Sequence, residues 1–361
     1  MKKDKSLQKA GDNSIQFQAE TIQVGIDEKR VREMIKEENK IVLQEMSIIA
    51  RDTAIERLDN YTDVYIPKLV RANLLASFAD PAIQMLFKKS ERTAICTERE
   101  KDYELLSELL IHRVNKKGNY TISAAIEKAI NEVNNISDNA LLCLTIVYAI
   151  ISYTPKSGDI KEGLSVLDNL YGKIINNNTL PNDKDWIDNL EIVGAIKINN
   201  FSSFKKLEDI YFDNFKGYSN LGIKKDSENY KKAIKLLTDN NIPTEILVDN
   251  ILNNEYVRLN IFSADSINNI KIIEKCNNTE ITRSLTDLQK EALKEIIKLY
   301  DKNDTNKTNF TNLLHSYKNF DLLLKWWNNT LTQPNFSITT IGKVIAHTNA
   351  KSIDYTLPDL N

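Results

Sequence analysis

From Ile15 the chain alternates apolar and polar residues, with Ile15, Phe17 and Ala19 on one side and Gln16, Gln18 and Glu20 on the other, which is the period of a strand. Ile22 and Val24 resume the alternation with opposite parity, so a bulge or turn must fall over 19–21. Gly11, Asp12 and Asn13 form the turn before it, since Gly and Asn tolerate positive φ and Asp bonds its own backbone. A two-strand ribbon of this length is marginal in water, and two readings follow. Copies from other chains supply the missing strands, with Gln16 and Gln18 stacking in hydrogen-bonded ladders around Ile15, Phe17, Ile22 and Val24. Alternatively, residues 1–25 are a polar terminus without fixed structure, as the opening Lys2, Lys3, Asp4 and Lys5 would suit. The first reading makes Asp12, Asn13, Ile15, Gln16, Phe17, Gln18, Ile22 and Val24 the oligomerisation residues and 1–26 a short β assembly segment.

Beyond this segment the period changes to that of helices. Val31, Ile35, Val42, Met46 and Ile49 predict a helix from Asp27 over 27–58. Asp80-Pro81, an N-cap followed by proline at the first helical position, launches a helix over 82–97 with Ile83, Leu86, Phe87 and Ala94 inward. Helices over 101–114, 123–133 and from Asp138 follow, the first stopping before Gly118. Further helices are expected over 157–178, 185–196, 227–239 and 243–253, separated by an aromatic, loop-like stretch over 197–223. Val257, Leu259 and Ile261 alternate as a strand would, and the polar run CNNTE at 276–280 is a candidate boundary. The fold class expected is mainly α: a multi-helical body over 27–275, preceded by the β segment and followed by a helical module over 281–361.

Composition narrows the function classes. Lys and Arg number 48 against 50 Asp and Glu, a net charge of −2, so no global field draws the chain to nucleic acid or anionic membrane. Cys96, Cys143 and Cys276 form neither a CxxC pair nor a disulfide framework, which suits a reducing, cytoplasmic setting. No signal peptide opens the chain, and the longest apolar run, 140–151, falls short of the roughly 20 residues of a membrane span. His112, His315 and His347 lie on separate predicted elements with no HExxH and no Asp-rich loop, so no metal site is expected. The glycines never form GxxxxGK[ST] or GxGxxG, and GxSxG is absent. No cofactor and no catalytic residue is therefore expected; the chain leans to a non-enzymatic role, the alternative being an enzyme whose acid–base residues come together only in the fold. Cys143, inside an apolar helix, reads as inert packing.

In the C-terminal module, FSITTIGKVIA at 336–346 is similar to the ending of winged-helix modules, where a strand passes through a Thr-x-x-Gly turn into a final helix. Ten Lys and Arg against eight Asp and Glu over 283–361 give only +2, so charge does not predict duplex binding. Trp326-Trp327 on one helix places one ring inward and the other about 100° round. The outer ring is then partly exposed, which makes the pair candidate partner contacts, with packing into the C-terminal core as the other reading.

Taken together, the opening QKAGDNS, the helix through 54–57, Phe78-Ala79-Asp80-Pro81, the run LLSELL at 105–110 and the closing ITTIGKVIA resemble an uncharacterised bacterial family. That family has a GDNS-x-Q-x-Q-A type opening and a mostly helical body. Openings of this type look like those joined to different bodies in phage-defence neighbourhoods. This chain lacks the long Asn/Ile repeat of the fuller openings after Ala19. The resemblance implies a bacterial cytosolic protein of antiviral defence and no particular activity. The expectation is a homo-oligomeric, non-enzymatic sensor or scaffold with a protein partner and no membrane contact. The alternative is a nucleic-acid-binding regulator acting through the winged-helix-like module.

Overall fold

A computed structural model describes residues 28–44, 46–115, 119–276, 279–302, 306–331 and 334–360. The turn and strands expected at the N-terminus, with the expected oligomerisation residues Asp12, Asn13, Ile15, Gln16, Phe17, Gln18, Ile22 and Val24, fall outside the described residues, as do Asp27 and Gly118. The chain is mainly helical with a few short strands. It divides into two compact units, residues 1–103 and 104–361, with the boundary inside helix α4 (Glu100–Asn115).

The first unit holds α1 (Glu28–Gln44), α2 (Ile48–Arg71) and α3 (Pro81–Ile95). The single helix expected over 27–58 is thus two. Ser47 takes an extended conformation (φ −62°, ψ 159°), and the Arg51 side chain donates to the Leu43 carbonyl at 2.8 Å and the Met46 carbonyl at 3.3 Å. Arg51 thereby satisfies one terminal carbonyl of α1 and one of the connection, which supports the break. Helix α3 begins as its sequence predicts: the Asp80 side chain accepts from the Ala82 amide at 2.9 Å, Pro81 occupies the first helical position, and Ile83, Leu86, Phe87 and Ala94 are buried. Tyr61, Tyr65, Phe78 and Phe87 form the aromatic centre of the unit, the Tyr65 and Phe87 centroids lying 5.0 Å apart and those of Phe78 and Phe87 5.5 Å.

The second unit begins with α5 (Tyr120–Glu132), α6 (Asp138–Ser152), α7 (Ile160–Ile175) and α8 (Asp185–Ile192). It continues through β1 (Ile196–Asn199), α9 (Leu207–Asn214), α10 (Lys216–Ser219), β2 (Ile223–Lys224) and α11 (Glu228–Asp239). Then come β3 (Leu247–Asp249), β4 (Tyr256–Leu259), β5 (Lys271–Cys276) and β6 (Thr279–Ser284). The unit ends with α12 (Asp287–Lys298), α13 (Lys307–His315), α14 (Lys318–Thr330), β7 (Asn335–Ile338) and α15 (Thr340–Ile353).

Helix α6, buried almost all round from Ala140 to Ile150, is the centre of this unit, as its continuous apolar run requires. Helix α15 packs on α5 and α6, α7 and α8 flank α6, and α14 lies on α7. Strand β7 pairs antiparallel with β1, Ile196 opposite Ile338. Gly342 presses the start of α15 onto this ladder: a Cβ there would sit 2.0 Å from the Ala195 carbonyl oxygen. A second core gathers Ala233 and Leu237 of α11, Leu293 and Ile296 of α12, and Val257 and Leu259 of β4. The strand expected around Val257 is β4, flanked by β2 and β3. The helix expected over 243–253 does not form: after a short 3₁₀ turn at Thr244–Ile246, Leu247–Asp249 pairs with β4. Sheet bonds to β4 outweigh the weak helical period of a stretch rich in β-branched residues. Strands β5 and β6 pair antiparallel, from Lys271 opposite Ser284 to Cys276 opposite Thr279.

Candidate functional site

In the first unit, Gln84, Phe87, Lys88 and Glu91 recur at spacings of three and four on α3 and so share one face. Gln84, Phe87 and Lys88 line a cleft of about 260 Å³, with Phe78 and with Met34, Ile35, Glu37 and Glu38 of α1. Glu91, one turn further along, is only 3% exposed, and its Oε1 has no hydrogen-bond partner among the described residues. The same holds for the hydroxyl of Tyr65, which is fully buried. By contrast the adjacent Ser90 is satisfied: its Oγ accepts from the Tyr61 hydroxyl at 3.0 Å and donates to the Phe87 carbonyl at 2.7 Å. Burial pushes the Glu91 carboxyl up from 4.5 to about 9; the negative Glu38 adds to the rise, and the Lys88 ammonium opposes it. Lys88 is itself bound to Glu38 at 2.7 Å. A carboxylic acid that stays neutral at physiological pH, one turn from a cleft of mixed polar and apolar lining, is a candidate for a functional role.

On the outside of the same unit, Ile48, Ile49 and Ile55 are 76%, 82% and 40% exposed. Ile48 and Ile55 lie two turns apart on one stripe of α2, with Ile49 beside it.

The second unit brings together two histidines that the sequence separates by 235 positions. The Tyr153 hydroxyl lies 3.1 Å from Nδ1 of His347, and the Thr348 hydroxyl 3.2 Å from Nδ1 of His112. The two imidazole rings are 6.0 Å apart, and Tyr148 meets His347 edge-on at 6.1 Å. Asn349 donates to the Thr145 hydroxyl at 2.9 Å, extending the polar network into α6. The signal for it was His347-Thr348-Asn349 interrupting an otherwise apolar helix. His315 stands elsewhere, bound to Asp321 at 2.7 Å. Among the described residues no group of three His, Cys, Asp or Glu is placed to hold a metal ion. The His112 and His347 cluster is thus a buried hydrogen-bonded network joining helices.

Arg258 on β4 is 2% exposed and is held by backbone oxygens. Nη2 donates to the Gly158 carbonyl at 2.7 Å, and Nη1 to those of Gly217 at 3.1 Å and Leu259 at 3.0 Å. Gly217 lets the 261–262 backbone come close, since a Cβ would stand 1.9 Å from the Phe262 carbonyl oxygen. Burial lowers the guanidinium's pKa. Gly158 also borders an open cleft of about 570 Å³ with Lys156, Asn260, Ser263 and Asp265. Arg258 fixes the wall of that cleft from behind through these carbonyls, while its buried Nε has no hydrogen-bond partner among the described residues.

Trp326 and Trp327 are both buried, at 5% and 1% exposure, so neither ring has the partial exposure expected of one of them. Helix α14 is covered on both sides: the Trp326 indole N–H donates to the Pro181 carbonyl at 2.9 Å, and that of Trp327 to the Lys205 carbonyl at 3.1 Å. Trp186 packs at 6.1 Å from Trp326, and Phe204 at 5.2 Å from Trp327. Cys143 is buried in α6 and its thiol is pushed up by burial, which removes the thiolate that reactivity needs.

A family model with the description ":-like" matches residues 25–358. No curated protein and no solved structure matches the chain.

Proposed function

The chain belongs to the family whose model matches residues 25–358, and from that premise we propose that it is a self-assembling, non-enzymatic sensor or scaffold of the bacterial cytoplasm, acting in anti-phage defence. The observation that carries the assembly reading is the row Ile48, Ile49 and Ile55, solvent-facing on α2 in the first unit, the unit to which the segment 8–24 also belongs. Exposed β-branched residues in a row favour coverage by another surface, and a second copy of this chain is the occupant proposed. The family match starts immediately after Val24, so the segment 8–24 stands outside the matched body, as an appended assembly element would. The sensor part rests on Glu91, a buried carboxyl beside a cleft. No helix among the described residues is long and apolar enough to cross a membrane.

Light scattering tests the assembly. The intact chain is expected to have the mass of a discrete oligomer, and deletion of residues 1–25 to reduce it to a monomer. Ile48→Glu with Ile49→Glu is expected to lower the mass as well, because a charge at a covered apolar site costs several kcal/mol on the order of its desolvation. A mass unchanged by both alterations refutes the reading.

A second reading, a nucleic-acid-binding regulator acting through residues 281–361 as a winged-helix-like module, draws on the order of elements around Thr339. Strand β7 leads to Thr339, whose Oγ accepts from the Gly342 amide at 3.2 Å, and α15 follows. This reading expects binding to duplex DNA or to RNA that weakens steeply with salt; no detectable binding at about 50 mM salt removes it.

A further inference from the structure

The outward side of α2 carries more than its isoleucines. Asp52, Glu56, Asp59 and Asp63, all exposed, follow one another at spacings of four, three and four residues, so they run along the stripe that holds Ile48 and Ile55. Asp52 stands one turn beyond Ile48, and Asp59 one turn beyond Ile55. Among the described residues none of these four carboxylates makes a hydrogen bond or an ion pair. The arginines in the same half of the helix are engaged elsewhere. Arg51 reaches back to the Leu43 and Met46 carbonyls, and Arg57 is bound to the Ile95 carbonyl at 2.7 Å and to Glu98 at 2.8 Å. The face is therefore apolar and acidic at once, which restricts what can cover it. Two such faces laid directly together would bury the isoleucines but set like charges against each other, and like charges across an interface oppose association. A cover for the isoleucines must also bring cations.

The opening MKKDKSLQK concentrates them. Lys2, Lys3, Lys5 and Lys9 stand there against the single Asp4, a net +3 over residues 1–9 in a chain whose net charge is −2. These residues lie outside the described ones, in the segment that leads to α1, and α1 packs on α2. We propose that the lysine run 1–9 of a second copy of this chain lies along the α2 face, with its ammonium groups against Asp52, Glu56, Asp59 and Asp63. This rests on the assembly reading and adds to it the surface that the N-terminal segment recognises. The lengths agree: Asp52 to Asp63 is about 16 Å of helix, and Lys2 to Lys9 is at most about 23 Å of extended chain, so every lysine falls within side-chain reach of the row. The exchange is between copies because Met1 and Leu7, the apolar residues of the run, are too few to cover three isoleucines, and Ile15, Phe17, Ile22 and Val24 belong to the shared ribbon of that reading. Deletion of residues 1–25 then acts by removing the cations that let two acidic faces share one interface, although the isoleucines remain.

Carbodiimide coupling, which joins a carboxylate to an amine without a spacer, tests the contact. Full-length chains, one batch labelled with nitrogen-15 and one unlabelled, are co-assembled at low salt, weighed by light scattering, cross-linked, digested and read by mass spectrometry. The expected result is peptides that join Lys2, Lys3, Lys5 or Lys9 to the α2 carboxylates, with light and heavy partners mixed. Linked peptides of a single isotope mean that the run covers its own α2, and they overturn the exchange between copies. An oligomer in which no lysine of 1–9 links to α2 overturns the proposal and leaves the assembly reading standing, whereas a monomeric mass before coupling overturns both. Charge exchange supplies the second arm. Asp52→Lys with Asp59→Lys and Asp63→Lys, all at exposed positions, should abolish the oligomer and leave the helical dichroism unchanged. Adding Lys2→Glu, Lys3→Glu, Lys5→Glu and Lys9→Glu to the same chain should restore it, because the two charges are then swapped rather than lost. An oligomer indifferent to the first set, or monomers that the second set does not rescue, refutes the pairing.

Discussion

Glu91→Gln is expected to stabilise the N-terminal unit at neutral pH, by roughly 3 kcal/mol at pH 7, and to remove most of that unit's loss of stability with rising pH. The carboxyl titrates near 4.5 in an unfolded chain and at about 9 in the folded unit, chiefly because it is buried. Below pH 4.5 both states hold the proton, and the group makes no difference to the balance. Between these values the unfolded chain releases the proton while the folded unit keeps it. Stability therefore falls with rising pH by about 1.4 kcal/mol per unit, and it levels off above pH 9, where both states are ionised. Glutamine has nearly the same shape and no proton to lose, so wild type and variant should agree near pH 4 and diverge upward. The tryptophans assign the effect, because all three of them, Trp186, Trp326 and Trp327, lie in the second unit. Melting followed by far-ultraviolet dichroism, which sees both units, should show the gain, and tryptophan fluorescence should not. Equal melting profiles for variant and wild type from pH 4 to 8 would contradict the burial of an ionisable Glu91.

How much of this could be read beforehand varies with the kind of contact. Helices announced by a cap and a strong period were legible: Asp80-Pro81 with Ile83, Phe87 and Ala94 gave α3, and the unbroken apolar run gave α6. The strands were harder. β2 is two residues long and β3 three, too short for alternation to be distinguished from a loop, and their existence depends on β4 lying between them. The break between α1 and α2 depended on Arg51 reaching back to the carbonyls of Leu43 and Met46, a contact that periodicity does not contain. Glu91 is the instructive omission. In KKSERTA it sits among Lys88, Lys89, Ser90 and Arg92 and looks like part of a solvated face. Its position four residues after Phe87 and three before Ala94 nevertheless puts it on the core stripe of α3, so helical phase, weighed above local charge, would have found it. No such phase links His112 to His347, whose meeting is a product of the tertiary fold. Trp326 and Trp327 show the converse error of a helical wheel, which counts faces without knowing how many neighbours the helix has.

Arg258→Met is expected to destabilise the second unit by about 3 to 5 kcal/mol, in balance between two opposed effects. Removing the guanidinium relieves the cost of a buried charge that has no carboxylate within bonding distance among the described residues, and methionine recovers much of the packing volume. Against this, the carbonyls of Gly158, Gly217 and Leu259 lose their donors, and a buried carbonyl left without one costs roughly 1 to 3 kcal/mol. Three such losses outweigh the relief, because the charge is already well solvated by those oxygens and by the Tyr218 ring at 5.8 Å. Arg258→Lys should fall between wild type and methionine: it keeps the charge, but one ammonium cannot span carbonyls drawn from three separate segments. The geometry also dictates where the damage appears. Residues 157–158, 217–218 and 259–262 converge on this one side chain, so hydrogen exchange in all three segments should accelerate together, while segments of the first unit stay unchanged. A loss confined to β4 would mean that the arginine serves its own strand only. Tryptophan fluorescence should register the lower melting temperature, by roughly 10 °C for a unit of this size, in contrast to the silence expected of it for Glu91→Gln.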